Sequence, residues 1–235
     1  MYFFLFISSL FAVDYNKVHL KKIEPNLYVH ISYIHFKGRY YPSNGLVYFK
    51  GDRALIIDTP CTDQQTAHLI SLIQNRFKKK ISFFIGTHHH RDNVGGAAYL
   101  YKKGIKLFTT RFTQSLAKKK GITLYHSVNI KKPLIFQGEK IWLYYPGPAH
   151  TFDNIVVWIP KKKILFAGCP VKSMDSRSMG NTKDGNINHW SKAVKKLINS
   201  YSDARLVIPG HGRWGGRELL YHTIDLLKAY FNRKR

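Results

Sequence analysis

The stretch Gly86-Thr87-His88-His89-His90-Arg91-Asp92 follows an apolar run at residues 81–85 and precedes a helix-like segment. It therefore predicts a strand, a short loop and a helix, with metal-capable side chains in the loop. Because His88, His90 and Asp92 alternate, an extended loop can point all three to one side. Imidazole and carboxylate are ligands that Zn²⁺ accepts. A single cluster of this kind is more typical of a solvated polar loop or of hydrogen-bonded histidines, so a metal site requires further ligands elsewhere in the chain.

The composition is that of a globular protein. The chain has 235 residues, 44% hydrophobic and 14% aromatic, enough for one sizeable core in a single domain. The formal net charge of +25 can attract nucleic acid, anionic membranes or acidic substrates. However, the lysines occur in short scattered runs, at residues 78–80, 118–120 and 161–163, and no nucleic-acid-binding motif accompanies them. We therefore expect a solvated basic surface and no nucleic-acid partner.

The N-terminal residues 1–12 are apolar and have the length of a signal-peptide core, too short to span a bilayer. Ser9 and Ala12 are small residues near a plausible cleavage point. A basic region before the apolar core is missing, and an N-terminal core strand is the alternative. We interpret residues 1–12 as an export signal. The mature domain, residues 13–235, is then expected in the periplasm, without membrane insertion once the signal is removed.

The remaining chain alternates between β and α patterns. Residues 33–43, aromatic and basic around Gly38, are interpreted as a mobile hairpin loop that can cover a site. Helical segments are predicted at residues 64–77, 96–103, 113–120, 189–200 and 218–231. Strands are predicted within residues 18–60 and 124–157, and at residues 81–85, 105–108, 164–168 and 205–208. This order predicts an α+β fold, a four-layer αββα sandwich with the helices outside two sheets.

Three more residues of ligand type lie where predicted strands end. They are His150, Cys169 and His211, each next to glycine or proline where the backbone must turn at the rim of a sheet. The other cysteine, Cys61, lies in a very different context, so a disulfide framework is not expected. Any one of the three is more typical of an ordinary polar residue. Six residues of ligand type at strand-to-loop boundaries nevertheless predict a common metal centre.

Five motifs carry a family resemblance, and they are Thr87-His88-x-His90-x-Asp92, Gly147-Pro-Ala-His150-Thr-x-Asp153-Asn154, Gly168-Cys169-x-x-Lys172-Ser173, Gly180-Asn181 and Pro209-Gly-His211-Gly. The chain resembles the class B metallo-β-lactamases of the first subclass, from about residue 58 to its C-terminal helix. The H-x-H-x-D loop is shared by the wider superfamily, whereas Cys-x-x-Lys at this place is specific to the lactamases. Asn93 and Cys169 stand where related thioesterases and nucleases usually have histidine and aspartate. At Ala149, Phe152 and Pro170 the family often has other residues, and these differences concern loop shape and not the identity of the ligands.

The resemblance implies two Zn²⁺ ions per chain, one held by His88, His90 and His150, the other by Asp92, Cys169 and His211. It implies hydrolysis of the amide bond of penicillins, cephalosporins and carbapenems by a zinc-bound hydroxide, without a covalent intermediate, and hence antibiotic resistance. Lys172 would bind the substrate carboxylate, Asn181 would bind substrate and stabilise the oxyanion, and Asp92 would steer a proton. Asp58 resembles the family's carboxylate that orients a metal ligand, with turn capping as the alternative.

Other functions stay open on the sequence alone. A superfamily thioesterase or lactonase would use the same metal pair, and only Cys169 with Lys172 argues against it. A nucleic-acid enzyme is suggested by charge alone, and a structural zinc protein would not need an open site with two unlike ligand sets. Asn181 lies in a loop where asparagine could simply fill a turn. We expect a β-lactam as the small-molecule partner and a monomeric protein.

Overall fold

The computed structural model describes residues 13–233, so the predicted export signal at residues 1–12 lies outside the described residues. In this range, the strands are β1 (His19–Glu24), β2 (Leu27–Phe36), β3 (Arg39–Lys50), β4 (Arg53–Ile57), β5 (Lys80–Ile85), β6 (Leu107–Thr109), β7 (His126–Ser127), β8 (Leu134–Phe136), β9 (Glu139–Tyr144), β10 (Val156–Ile159), β11 (Ile164–Gly168) and β12 (Leu206–Pro209). The α-helices are α1 (Asp63–Ser71), α2 (Arg91–Val94), α3 (Ala97–Lys102), α4 (Arg111–Lys119), α5 (Ile187–Ser200) and α6 (Glu218–Asn232).

The strands form two sheets whose parallel portions end at loops that carry the predicted ligands. The larger sheet runs from β1 to β7 in sequence order, and the smaller has the order β12-β11-β10-β9-β8. Strands β4, β5 and β6 are parallel, so the loops after β4 and β5 leave the same edge. Strands β11 and β12 are also parallel, with Gly168 paired to Pro209. Cys169 and His211 therefore follow two neighbouring strand ends.

Three apolar clusters hold the layers together. One lies between the sheets and includes Ile57, Ile85, Phe166 and Ile208. A second joins the larger sheet to α1 and α3, and a third joins the smaller sheet to α5 and α6. Helix α5 buries Trp190, Ala193, Val194 and Leu197, the spacing expected of one apolar face. This arrangement confirms the predicted α+β, four-layer αββα sandwich.

The hairpin formed by β2 and β3 differs from the sequence prediction, because residues 33–43 are not a loop. Antiparallel pairing continues from Tyr33 opposite Pro42 to Phe36 opposite Arg39. The turn is limited to Lys37 and Gly38, whose φ angles of 48° and 75° are both positive, as in a two-residue type I′ turn. Aromatic and β-branched side chains favour strands, which explains why pairing extends almost to the tip.

The chain also turns into a helix earlier than the sequence pattern indicated. Helix α2 begins directly after His90, so Asp92 lies in a helical turn and not in an extended loop. The predicted helix at residues 64–77 consists of α1 followed by a π-helical turn, Leu72–Arg76. Over residues 13–233, every helix is too short or too polar to cross a bilayer.

Candidate metal centre

Two groups of metal-capable side chains lie beside the ends of β5, β11 and β12. One ligand atom each from His88, His90 and His150 lies within 4.8 Å of the others, and the same holds for Asp92, Cys169 and His211. The fold therefore brings together all six side chains that the sequence indicated. Asp92 belongs to a different group from His88 and His90. The turn of α2 separates Asp92 from the two histidines and places it in the second group.

The three-histidine group converges on one ring nitrogen. Nδ1 of His90 lies 3.2 Å from Nε2 of His88 and 3.2 Å from Nε2 of His150. The three ring planes cross at 72°, 86° and 85°, so the rings surround a point and do not stack. Burial lowers the pKa of His88 and of His150 well below its usual value, and neighbouring cationic groups lower it further. Neutral, converging imidazoles are the donor set that Zn²⁺ requires, so this group fits the metal.

The outer nitrogen of His90 has a carboxylate partner. Nε2 of His90 lies 3.1 Å from Oδ2 of Asp184, and Nζ of Lys120 lies 3.7 Å from the same oxygen. In the tautomer whose Nε2 donates a hydrogen bond to Asp184, the lone pair of Nδ1 faces the other two histidines. Asp184 was not among the residues predicted from the sequence. The available signal was that Asp184 is the only acidic residue between Asp175 and Asp203.

The second group combines a carboxylate, a thiol and an imidazole. Oδ2 of Asp92 lies 3.2 Å from Nε2 of His211 and 3.8 Å from Sγ of Cys169. Burial raises the pKa of the Cys169 thiol, and the neighbouring His211 opposes this effect. Burial opposes ionisation of Asp92 as well, yet the hydrogen bond and charge of His211 hold the pKa of Asp92 below its usual range. A bound metal deprotonates a coordinating thiol outright, so this mixed set also fits Zn²⁺.

The Asp58 carboxylate stabilises the loop that carries the histidines. Its carboxylate accepts hydrogen bonds from Thr87 N (2.8 Å), Thr87 Oγ1 (3.0 Å) and Asn93 Nδ2 (2.6 Å). Thr87 and Asn93 bracket His88, His90 and Asp92 in the chain. Among the described residues, the hydrogen bonds of the Asp58 carboxylate go to Thr87 and Asn93 and not to a ligand imidazole. Asp58 therefore does not contact a metal ligand directly, and it instead holds the segment that carries His88, His90 and Asp92.

A buried pair joins the histidine loop to the segment that carries His150. Nδ1 of His89 lies 2.9 Å from Oδ1 of Asp153, and both side chains are buried. Asn154, next in the chain, accepts from Thr151 N and donates to Gly147 O, each over 3.0 Å. Neither His89 nor Asp153 was predicted to have a role, although Asp153 belongs to a motif that carries the resemblance. The pair holds the two segments together behind the three-histidine group.

The two predicted substrate-binding residues lie in different surroundings. Lys172 is half-buried, and its Nζ lies 5.2 Å from the centre of the Trp190 ring. Burial lowers the pKa of Lys172, and the negative groups Cys169 and Asp92 oppose that shift, which indicates that the ammonium lies near the second group. Asn181 is exposed, and its Oδ1 accepts a hydrogen bond from Lys183 N over 3.1 Å. That contact is the turn named as the alternative, and the oxyanion role of Asn181 stays a prediction.

Comparisons with known proteins place the chain in a family, although no family model matches it. It is 39% identical over 216 residues to a metallo-β-lactamase type 2 of Bacillus cereus, covering 90% of this chain and 83% of the relative. It is 33% identical over 238 residues to a metallo-β-lactamase type 2 of Bacteroides fragilis, covering 97% of this chain and 96% of the relative.

Solved structures give the same result. A metallo-β-lactamase from Pontibacter korlensis superposes with a TM-score of 0.86 at 32% identity, covering 90% of this chain and 99% of the other. The metallo-β-lactamase FIM-1 from Pseudomonas aeruginosa in the mono-zinc form superposes with a TM-score of 0.82 at 34% identity. The match covers 91% of this chain and 96% of the other. With both side-chain groups present, the chain therefore belongs to the class B metallo-β-lactamases of the first subclass and is a hydrolase.

Proposed function

We propose that the protein hydrolyses the β-lactam amide bond of penicillins, cephalosporins and carbapenems with two bound Zn²⁺ ions, and that it thereby confers antibiotic resistance. The observation that carries this proposal is the meeting of two unlike ligand groups at one edge of the sandwich. The segment after β5 supplies His88 and His90 from its loop to one group, and Asp92 from α2 to the other. A structural zinc site is closed by four ligands, whereas each group here offers three protein ligands and leaves a position free.

In this proposal, His88, His90 and His150 hold one ion, and Asp92, Cys169 and His211 hold the other. Bound there, zinc supplies Lewis acidity and lowers the pKa of a bound water to about 7. The protein residues position these groups. Asp184 accepts from Nε2 of His90 and so orients Nδ1 of His90 toward the ion, and Asp58 keeps the loop after β5 in place through Thr87 and Asn93.

The substrate is held by residues beside the second group. The Lys172 ammonium pairs with the carboxylate of the lactam, a charged hydrogen bond that contributes about 1.5 to 3 kcal/mol. Oδ2 of Asp92 faces His211 and Cys169, so we assign its other oxygen, Oδ1, to steering the proton toward the leaving nitrogen. For Asn181 to reach the developing oxyanion, its side chain must leave the turn with Lys183. Removing Asn181 is therefore expected to reduce kcat/KM only modestly.

The decisive assay is hydrolysis of a chromogenic cephalosporin with and without a chelator, beside a glutathione thioester and a carbapenem. We expect both lactams to be cleaved, the activity to stop with the chelator and to return with zinc, and the thioester to remain intact. Thioester cleavage without lactam cleavage would assign the chain to the thioesterase branch. Cys169→Ser is the matched variant, because it should weaken the second zinc and spare the three-histidine group. Two tightly bound zincs in that variant would contradict the ligand assignment.

The proposed place of action is the periplasm, where β-lactams meet their targets, and the proposed state is a monomer. Export rests on the apolar residues 1–12. Cell fractionation of the full chain and of a variant that lacks these residues tests it. We expect the full chain in the periplasmic fraction and the shortened chain in the cytoplasm. An identical distribution would refute export through this segment, and sedimentation at several concentrations would test the monomer.

A further inference from the structure

One ligand of the second group is held by the β2–β3 hairpin. Nδ1 of His211 donates to the carbonyl oxygen of Pro42 over 2.7 Å, which directs Nε2 toward Asp92. The same strand grips the turn that carries His211. Asn44 N donates to Gly210 O over 2.8 Å, and Asn44 Nδ2 donates to Pro209 O and Gly212 O over 3.0 and 2.8 Å. The position of β3 therefore determines the orientation of this imidazole.

The hairpin is in turn fixed by the segment that precedes β1. Tyr33 lies directly opposite Pro42 in the β2–β3 ladder. The buried amide of Gln65 donates from Nε2 to Tyr33 O over 2.9 Å and to Tyr15 O over 2.6 Å. The Tyr15 ring stacks on Tyr40 with centroids 3.9 Å apart and planes at 1°, and it contacts Tyr33 edge-on at 5.1 Å. Tyr15 thus contacts the residue opposite Pro42 on β2 and the residue two positions before Pro42 on β3.

We infer that Tyr15 is a positioning residue for the second metal group, because it holds the hairpin whose Pro42 carbonyl orients His211. This inference rests on the proposed function, since it concerns the affinity of the second zinc. Its effect is selective. In the part of the chain that the structure describes, the ring nitrogens of His88, His90 and His150 have hydrogen-bond partners in Thr87, Asp184 and one another, and none in the hairpin.

Because Tyr15 acts on His211 only through the hairpin, replacing it should have a moderate effect on the affinity of the second zinc. Losing an outer partner of a metal-bound histidine typically lowers metal affinity about 10- to 100-fold. Replacing Tyr15 leaves the bond between His211 and Pro42 available but releases the hairpin that carries the carbonyl. We therefore expect a loss near the lower limit, about tenfold, for the second zinc alone. A ring that merely stabilised the fold would weaken both zinc sites through unfolding and would not distinguish them.

The test is a zinc titration of the full-length protein, with chelator competition resolving the two sites. Replacing zinc by Co²⁺ adds a spectroscopic readout, because the thiolate-to-metal absorption band reports on Cys169 alone. Tyr15→Ala should lower second-site affinity about tenfold and leave the three-histidine site within twofold. Tyr15→Phe should restore wild-type binding, since the stack needs the ring and not the hydroxyl. Tyr40→Ala, which removes the other ring, should reproduce Tyr15→Ala even if the latter folds poorly.

The matched control is Tyr125→Ala. It breaks another exposed tyrosine stack, Tyr101 on Tyr125 at 3.9 Å, which makes no contact with the hairpin in the described structure. It should leave both sites unchanged. The inference is overturned if Tyr15→Ala and Tyr40→Ala bind the second zinc like the wild type, or if Tyr125→Ala produces the same loss. A wild-type protein that binds no second zinc would overturn both the proposed function and this inference, a result recognisable before any variant is measured.

Discussion

Asp184→Asn tests whether the carboxylate behind His90 sets the affinity of the three-histidine group. The variant keeps the size of the side chain and an oxygen that can accept from Nε2 of His90, now 3.1 Å away. It removes the negative charge, and hydrogen bonds to a charged partner are roughly twice as strong as neutral ones. His90 would therefore keep its orientation with a weaker partner and become a poorer ligand.

The expected loss of zinc affinity at the three-histidine group depends on how exposed the Asp184 carboxylate is. Loss of an outer partner typically costs about 10- to 100-fold in metal affinity. The Asp184 side chain is 29% exposed and also lies near Lys120, so solvent and a second partner moderate its influence. We expect about a tenfold loss for Asp184→Asn and a loss closer to a hundredfold for Asp184→Ala, which leaves Nε2 without an acceptor. The second zinc should be unaffected, since Asp92, Cys169 and His211 do not contact Asp184 in the described hydrogen bonds.

Chelator competition that resolves the two zinc sites is the assay. Asp203→Asn is the control, because Asp203 is an exposed acid whose ion pair within residues 13–233 is with a surface lysine, Lys163, at 3.7 Å. Equal first-site affinities in the wild type and both Asp184 variants would show that Asp184 does not act through His90. A comparable loss in Asp203→Asn would show that overall charge is responsible.

Three further predictions concern stability and substrate binding. Burial lowers the pKa of His30 to about 4 from 6.5, so the unfolded chain takes up a proton that the folded protein resists. The free energy of unfolding should therefore fall by up to about 3 kcal/mol as the pH drops from 6.5 to 4. Denaturant unfolding of the metal-free wild type and His30→Gln tests this, and a difference in unfolding free energy that stays constant with pH would contradict it. Lys172→Ala should raise KM about tenfold or more for lactams with a carboxylate, and an equal loss for a neutral ester analogue would argue against ion pairing. Phe166→Ala, between the two sheets, should cost about 3 to 5 kcal/mol in denaturant unfolding, and a loss below about 1 kcal/mol would show that the core collapses around the gap.

The ligand positions were predictable because each follows a strand end marked by glycine or proline. Cys169 follows Gly168, which has φ of 60° and lies at the end of β11, and His211 follows Gly210 after β12. The order of the strand and helix patterns predicted the αββα layers. The alternation of His88, His90 and Asp92 assumed extended backbone, whereas Asp92 lies in the first turn of helix α2.

The supporting contacts were not predictable, because each joins residues far apart in the chain. Asp184 lies 94 positions from His90, and the Pro42 carbonyl lies 169 positions from His211. A backbone carbonyl has no sequence signature, and a lone aspartate in a basic loop is compatible with many roles. The length of the β2–β3 hairpin was missed for another reason, since the aromatic residues that favour strand pairing were interpreted as the lining of a loop.

The most direct measurement is anomalous diffraction at the zinc edge from crystals of the full-length protein grown with zinc. We expect two peaks per chain. One should lie about 2.0 to 2.1 Å from ring nitrogens of His88, His90 and His150, and the other about 2.3 Å from the Cys169 sulfur, with Asp92 and His211 also bound. A single peak, or a second peak without the Cys169 sulfur, would contradict the two-site centre.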